Sequence, residues 1–406
     1  MADAQPAEIK KTLKDFFGYE DFRFSQEAII QYILKGENIL AVLPTGAGKS
    51  LCYQIPAIIS EKYSIVISPL ISLMKDQVDE LNKKGIPSIF INSETDINNY
   101  YSIRLQLAEN KIKLLYVSPE RLINNFFIEL IEGNPPEYLF VDEAHCISQW
   151  GHNFRPSYKR IKNFCESFGI KKISAFTATA IPEVVKDISK QLNFTSPKVF
   201  IEGFERKNIS TSVILTKDKK SKLLKILSEN FGATIVYSST RKSTEEISNF
   251  LNLNKIKASF YHGGMNSFRR QQIQDDFLED QIQVISATNA FGMGINKSNI
   301  RTIVHYNMPA SIESYYQEIG RAGRDGNESR AIIFYEQNDF RIQERLIKST
   351  YPFKDEIYII YNLIANFSKT AFGNMNAKPI RLTKDFYDGL TAKKINESKI
   401  FVNHLG

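Results

Sequence analysis

LPTGAGKS, Leu43 to Ser50, follows an apolar strand-like run from Asn38 to Leu43 and opens a helix-like segment. That context makes it a phosphate-binding loop. Gly46 and Gly48 reach backbone angles closed to other residues, so successive N–H groups from Thr45 through Ala47 to Ser50 turn inward and cradle phosphate oxygens at a helix start. Lys49 then reaches the β- and γ-phosphates, and the Ser50 hydroxyl supplies a ligand for Mg²⁺. The full pattern has a glycine where Leu43 stands, so one position departs from it. A plain glycine turn with a surface lysine is the competing reading. A second feature weighs against it: the apolar run Tyr138 to Val141 leads into Asp142-Glu143-Ala144-His145. A buried strand ending in two carboxylates lets the first hold the Mg²⁺ shell and the second orient or deprotonate an attacking water. The expected chemistry is nucleotide hydrolysis.

With 406 residues, 43% hydrophobic and 24% charged, the chain is long enough for two to three globular domains. MADAQPAEIKK at the start has no apolar core of the kind a secretion signal needs, and no stretch reaches membrane-spanning length. The expectation is a cytoplasmic protein with no membrane partner. Cys52, Cys146 and Cys165 lack metal-ligand spacing and cannot all pair, so they are read as buried reduced thiols. The net charge of +7 suits a polyanionic partner. Residues 341–406 carry eleven Lys/Arg against six Asp/Glu, a balance of +5. That segment is either a solvated helical surface or a phosphate contact, and composition favours neither.

Short β-branched runs alternate with amphipathic stretches over the first 340 residues, the pattern of α/β sheets with parallel strands flanked by helices. Seven runs precede residue 203 and six follow residue 208, so two tandem domains are expected, with the polar segment Gly203 to Asn208 as a hinge. The proposed division is 1–204, 205–340 and 341–406. In the last part Ile357, Ile360, Tyr361, Ile364 and Phe367 recur at helical spacing and announce a small helical appendage.

Further segments fall into register with the phosphate loop, and in them residues 13–340 resemble the RecQ family of superfamily-two DNA helicases. FGYEDFRFSQ (Phe17 to Gln26) resembles the family's adenine-binding motif, matched at Tyr19, Arg23 and Gln26, whose amide offers both a donor and an acceptor to the base edge. VISPLISLMKDQV (Val66 to Val78) and YVSPERL (Tyr116 to Leu122) look like the motifs gripping a single-strand backbone, and SAFTATA (Ser174 to Ala180) like the one coupling the ATP site to DNA. CISQWGHNFRPSY (Cys146 to Tyr158) holds the chain's single tryptophan. A lone tryptophan is ordinarily a core residue. The resemblance implies instead an aromatic-rich DNA-binding loop in which Trp150 and Phe154 stack on unpaired bases and Arg155 meets phosphate, with His152 among its residues.

In the second half, ISATNAFGMGINK (Ile285 to Lys297) and YYQEIGRAGRDG (Tyr315 to Gly326) resemble the last two helicase motifs. Gln317, Arg321 and Arg324 would project from a helix start and its following loop toward the first domain, with Arg324 the better arginine-finger candidate. Ser239, Thr240 and Arg241 are matched to backbone contacts with DNA. The resemblance implies two tandem RecA-like domains, ATP and Mg²⁺ as cofactors, movement three-prime to five-prime on single-stranded DNA, forked DNA as a partner, and work in recombination and repair. It departs after residue 340: many relatives carry a four-cysteine zinc module there, this chain has no cysteine beyond Cys165, and no zinc is expected. The chain also stops where a winged-helix domain would be completed, so strand separation is open. A DEAH-type RNA helicase, or a DNA-stimulated ATPase that binds or anneals without unwinding, are the rival functions.

Overall fold

The computed structural model describes residues 6–92, 95, 97–148, 154–203, 206–229, 232–292, 297–350 and 353–368. Among them, thirteen strands make two sheets. β1 (Ile39–Val42), β2 (Ser64–Ile67), β3 (Ser88–Ile91), β4 (Leu114–Val117), β5 (Tyr138–Val141), β6 (Ile173–Thr177) and β7 (Lys198–Ile201) lie in the order β3-β4-β2-β5-β6-β1-β7. β8 (Ile209–Leu215), β9 (Ala233–Tyr237), β10 (Ala258–Tyr261), β11 (Val284–Ala287), β12 (Ile300–His305) and β13 (Ser329–Tyr335) lie in the order β10-β11-β9-β12-β13-β8. Every pairing is parallel, as in Ile39 opposite Ser174 and Val284 opposite Thr234.

Parallel sheets covered on both faces need strands that are apolar on both sides. β1, β2, β4, β5 and β9 meet that demand, with every residue buried. Alternate residues of one strand therefore feed two cores. Ile65, Leu115 and Leu139 pack with Phe127 and Tyr158 on one face of the first sheet. Val66, Tyr116 and Phe140 pack with Tyr53 and Phe176 on the other, where the Tyr53 and Phe140 rings stack 5.6 Å apart. The second sheet repeats the plan with cores around Phe277 and Phe334. Cys52, Cys146 and Cys165 are buried free thiols.

Two expectations need adjustment. Gln317, Arg321 and Arg324 sit at the end of a helix rather than its start. That helix, Ile312–Ile319, begins at Ser311, whose Oγ accepts the Ser314 N–H at 3.1 Å, and it stops before Gly320 and Gly323. The helical character after β13 is also two helices, Gln337–Thr350 and Lys354–Ser368. The second bears the spaced apolar residues, of which Ile360 is buried while Ile357 and Tyr361 stay exposed. No helix among the described residues is long and apolar enough to cross a membrane.

Candidate active site between the two sheets

The loops after β1 and β5 and the turn after Ile312–Ile319 converge on one cleft of about 780 Å³. After β1 the chain turns through Gly46 and Gly48 at φ +82° and +75°, in the left-handed region that glycine enters without steric cost. Space demands glycine as well. A Cβ at Gly48 would meet Gln26 Nε2 at 2.5 Å, and one at Gly46 would meet Arg206 Nη1 at 3.1 Å. Gly48 caps the helix Lys49–Ile59, so no side chain competes for its first N–H groups, which is how a helix end serves an anion. Lys49 Nζ donates to the Leu43 carbonyl at 3.4 Å. Leu43, at the position that departs from the motif, is fully buried.

Tyr19, Arg23 and Gln26 line the same cleft. Gln26 also holds the loop itself. Its Nε2 donates to the carbonyls of Ala47 at 2.8 Å and Gly48 at 3.2 Å, while its Oε1 accepts the Arg23 N–H at 2.8 Å. The amide is a brace under the phosphate loop, and a lone pair on Oε1 is what remains for an adenine edge.

Asp142 and Glu143 leave β5 directly into this cleft. Burial, and next the neighbouring Glu143 charge, push the Asp142 carboxyl up to about 7, against the pull of Lys49. A buried oxygen donor in the same cleft as the Ser50 hydroxyl suits a hard divalent cation such as Mg²⁺, which would repay the cost of ionising it. Glu143 adopts φ +48°, and its backbone N–H donates to Asp142 Oδ1 at 3.0 Å. Strained angles of this kind persist where the surroundings hold them. Here the Tyr158 hydroxyl donates to the Asp142 carbonyl at 3.1 Å, and Glu143 Oε2 lies 3.3 Å from His145 Nδ1. Thr177 Oγ1, at the end of β6, gives its proton to the Thr179 carbonyl at 3.0 Å, so toward His145 Nδ1 at 2.9 Å it accepts. The imidazole thus carries a proton on Nδ1, between Thr177 and Glu143. Burial would lower the His145 pKa, but hydrogen bonding to Cys146 and Glu143 carries it to about 10. Sequence reasoning linked this threonine segment to DNA coupling without seeing the contact to His145.

From the second sheet come Gln317, Arg321 and Arg324. The buried Arg321 donates to the Gly292 carbonyl. Arg324 lies over the phosphate loop, with its Cγ 3.4 Å from where a Gly46 Cβ would stand. Burial, then the Arg321 and Arg206 charges, bring its pKa down to about 10. Arg206, absent from the sequence-based set, joins the two halves. Its Nη1 donates to the Thr45 carbonyl at 3.1 Å and its Nη2 to those of Ala322 and Gly323 at 3.2 and 2.8 Å.

The nucleic-acid candidates divide. Trp150 and His152 lie outside the described residues. Phe154 and Arg155 line the cleft, Lys159 Nζ sits 5.4 Å from the Phe154 ring, and Arg155 Nη1 donates to the Pro69 carbonyl at 2.7 Å. Arg155 therefore ties the aromatic segment to the helix-leading SPL motif after β2. Ser239, Thr240 and Arg241 stand apart from the cleft, at the N-terminus of the helix Arg241–Leu253. Ser239 N–H donates to Asn307 Oδ1 at 3.3 Å, and Arg241 packs across Gly264.

Residues 23–188 match the DEAD/DEAH box helicase family and residues 218–326 the helicase conserved C-terminal domain. RecS of Bacillus subtilis is 37% identical over 354 residues, covering 86% of this chain and 71% of that protein. The RecQ DNA helicase of the same organism is 45% identical over 341 residues, 83% of this chain. The chain belongs to the RecQ family. It spans 58% of that RecQ and 54% of the RecQ of Haemophilus influenzae. Both sheets of this RecQ-family chain are RecA-like. Yeast Dbp5, solved with RNA and ADP–BeF3, superposes with a TM-score of 0.66 at 19% identity, covering 84% of this chain and 90% of that one.

Proposed function

We propose that this chain is the motor of an ATP-dependent DNA helicase of RecQ type. The observation carrying this reading is that a phosphate loop, two carboxylates and two arginines, drawn from both lobes, line one cleft. Thr45 to Ser50 hold the phosphates, with Lys49 on the β- and γ-groups. Tyr19, Arg23 and Gln26 receive the adenine. Glu143, held by His145, is the base for the attacking water. Arg324 approaches from the second lobe as the finger, with Arg321 and Gln317 beside it. Mg²⁺ would be held by Ser50 and Asp142 and would neutralise phosphate charge as it transfers. The crowding of Lys49, Arg206, Arg321 and Arg324 is an electrostatic argument for a polyphosphate, because an anion relieves their mutual repulsion.

In the same reading residues 1–204 and 205–340 are the two lobes, residues 341–406 begin a C-terminal region, and the motor works in the cytoplasm in recombination and repair. A single strand crosses both lobes over the segments after β2 and β9, with Phe154 and Arg155 relaying its presence to the cleft. Movement is three-prime to five-prime. ATPase assays with single-stranded DNA or RNA, and unwinding of forks with a single three-prime or five-prime tail, test these points. DNA should stimulate turnover at least about tenfold more than RNA, and three-prime tails should support unwinding. Equal stimulation by RNA would overturn the substrate, and stimulation without unwinding of either fork would reduce the chain to a translocating ATPase.

A further inference from the structure

Arg206 stands in the segment between β7 and β8, and three of its hydrogen bonds go to main-chain carbonyls: Thr45 in the first lobe, Ala322 and Gly323 in the second. The fourth, from Nε to Asn208 Oδ1 at 3.3 Å, sets the plane of the guanidinium. Asn208 then adds its own amide bonds to the Gly323 and Asn327 carbonyls at 2.8 and 2.9 Å. Carbonyl acceptors report where the chain runs, not which side chain it bears. A planar fork of five donors can tie three of them at once, which an ammonium cannot do with the same geometry. The neighbouring Arg23 and Arg324 charges repel this guanidinium, so the carbonyl dipoles must be what keeps it there. Gly323 immediately precedes Arg324, so the tether acts one residue from the candidate finger.

We propose that Arg206 is a positioning residue for hydrolysis: it fastens the arginine turn to the phosphate loop and so sets Arg324 against the γ-phosphate side of the cleft. This rests on the reading of Arg324 as the finger. A displacement of about 1 Å at a reacting group can cost about a hundredfold in rate, which is the scale at which such a tether matters.

The test is steady-state ATP hydrolysis at saturating single-stranded DNA by the full chain and by Arg206→Ala, Arg206→Lys, Arg324→Ala and the double variant Arg206→Ala/Arg324→Ala, with thermal melts in parallel. Arg206→Ala should lower kcat about ten- to a hundredfold with KM for ATP within about twofold. Arg206→Lys should recover part of the loss. Arg324→Ala should lose at least about a thousandfold, and the double variant should be no slower than Arg324→Ala, because a positioning residue has nothing left to position. A kcat within twofold of wild type for Arg206→Ala, or a double variant slower by the same factor as the single, overturns the inference while the finger reading stands. Near wild-type turnover by Arg324→Ala overturns both. Should Arg206→Ala not fold, Arg206→Gln keeps one amide donor and is judged by the same kcat criterion.

Discussion

Apart from the edge strand β7 of the first, the two sheets have the same strand order, so β8 occupies in the second the place of β1 in the first, and β12 the place of β5. After β1 the helix Lys49–Ile59 opens on Gly48, and its lysine has one long bond, to Leu43. After β8 the helix Lys219–Ser228 opens on Asp218, whose carboxylate accepts the Ser221 N–H at 3.2 Å. Lys219, the first residue of its helix as Lys49 is of its own, is buried against Asp339 at 2.8 Å and donates to the Tyr306 carbonyl, just after β12, at 2.8 Å. Asp142 is the residue just after β5. One scaffold thus yields two outcomes. Where a glycine caps the helix and the lysine is weakly engaged, the end suits a phosphate. Where an aspartate caps it and a second carboxylate takes the lysine, the same place is an internal strut.

That comparison breaks most easily at the two lysines. Lys49→Ala should lower turnover at least about a hundredfold with little change in melting, since on the proposed reading the charge it removes serves the transferring phosphate. Lys219→Ala should leave turnover of the folded protein within about twofold but destabilise it by about 3–5 kcal/mol, because Asp339 would remain buried without its cation. Urea melts and ATPase assays on both separate the cases. A stable, inactive Lys219→Ala would show that the second lobe's lysine belongs to the chemistry, and the contrast would fail.

The carboxylate after β5 offers a smaller effect with a definite sign. Asp142 is raised in the fold from an ordinary 3.8 to about 7, so the folded state binds a proton more tightly than the unfolded chain. Its stability contribution is present below the ordinary value and is lost as pH rises through about 7. Asp142→Asn should therefore raise the melting temperature of the nucleotide-free protein by a few degrees at pH 8, where about 1 kcal/mol moves Tm by about 2–4 °C, and change little at pH 5. Turnover should vanish at both. A variant that melts earlier at pH 8 would show that Asp142 stabilises the fold.

All thirteen strands were legible in the sequence within two residues at either end: the fully buried ones such as β1, β2 and β5 because they are continuous apolar runs, and the largely exposed β7 and β8 because they cluster β-branched and aromatic residues. The phosphate loop and the paired acids were legible for a related reason: glycine at a positive φ and charge at a strand end are both local signals. Arg206 and Asn208 were not. Their partners are carbonyls more than 100 residues away, and no spacing in the chain announces a bond to main-chain oxygen. The brace that Gln26 makes beneath Ala47 and Gly48 was hidden likewise, since the same amide is equally fit to read a base. The helix ending at Ile319 was displaced because its cap, Ser311, precedes the arginine motif instead of lying within it.

The smallest test concerns β2 and β9, which also correspond in the two sheets and each lead into a segment matched to nucleic-acid backbone contacts. After β9, Thr240 caps its helix by accepting the Ser243 N–H at 3.1 Å, and Arg241 is exposed beside it. After β2, Leu70 precedes the helix Ile71–Lys83 with no side-chain cap, and the first turn bears the exposed, neutral Ser72. Each phosphate neutralised on a single strand contributes about −0.7 to the slope of log affinity against log salt. Arg241→Ala should flatten that slope by about 0.7, whereas Ser72→Ala should weaken binding to a similar or lesser degree and leave the slope unchanged, because a hydroxyl releases no counterion. Turnover at saturating DNA should be kept in both. Titrations of a short labelled strand at four salt concentrations resolve a change of that size, and an unchanged slope for Arg241→Ala would remove this arginine from the strand's path.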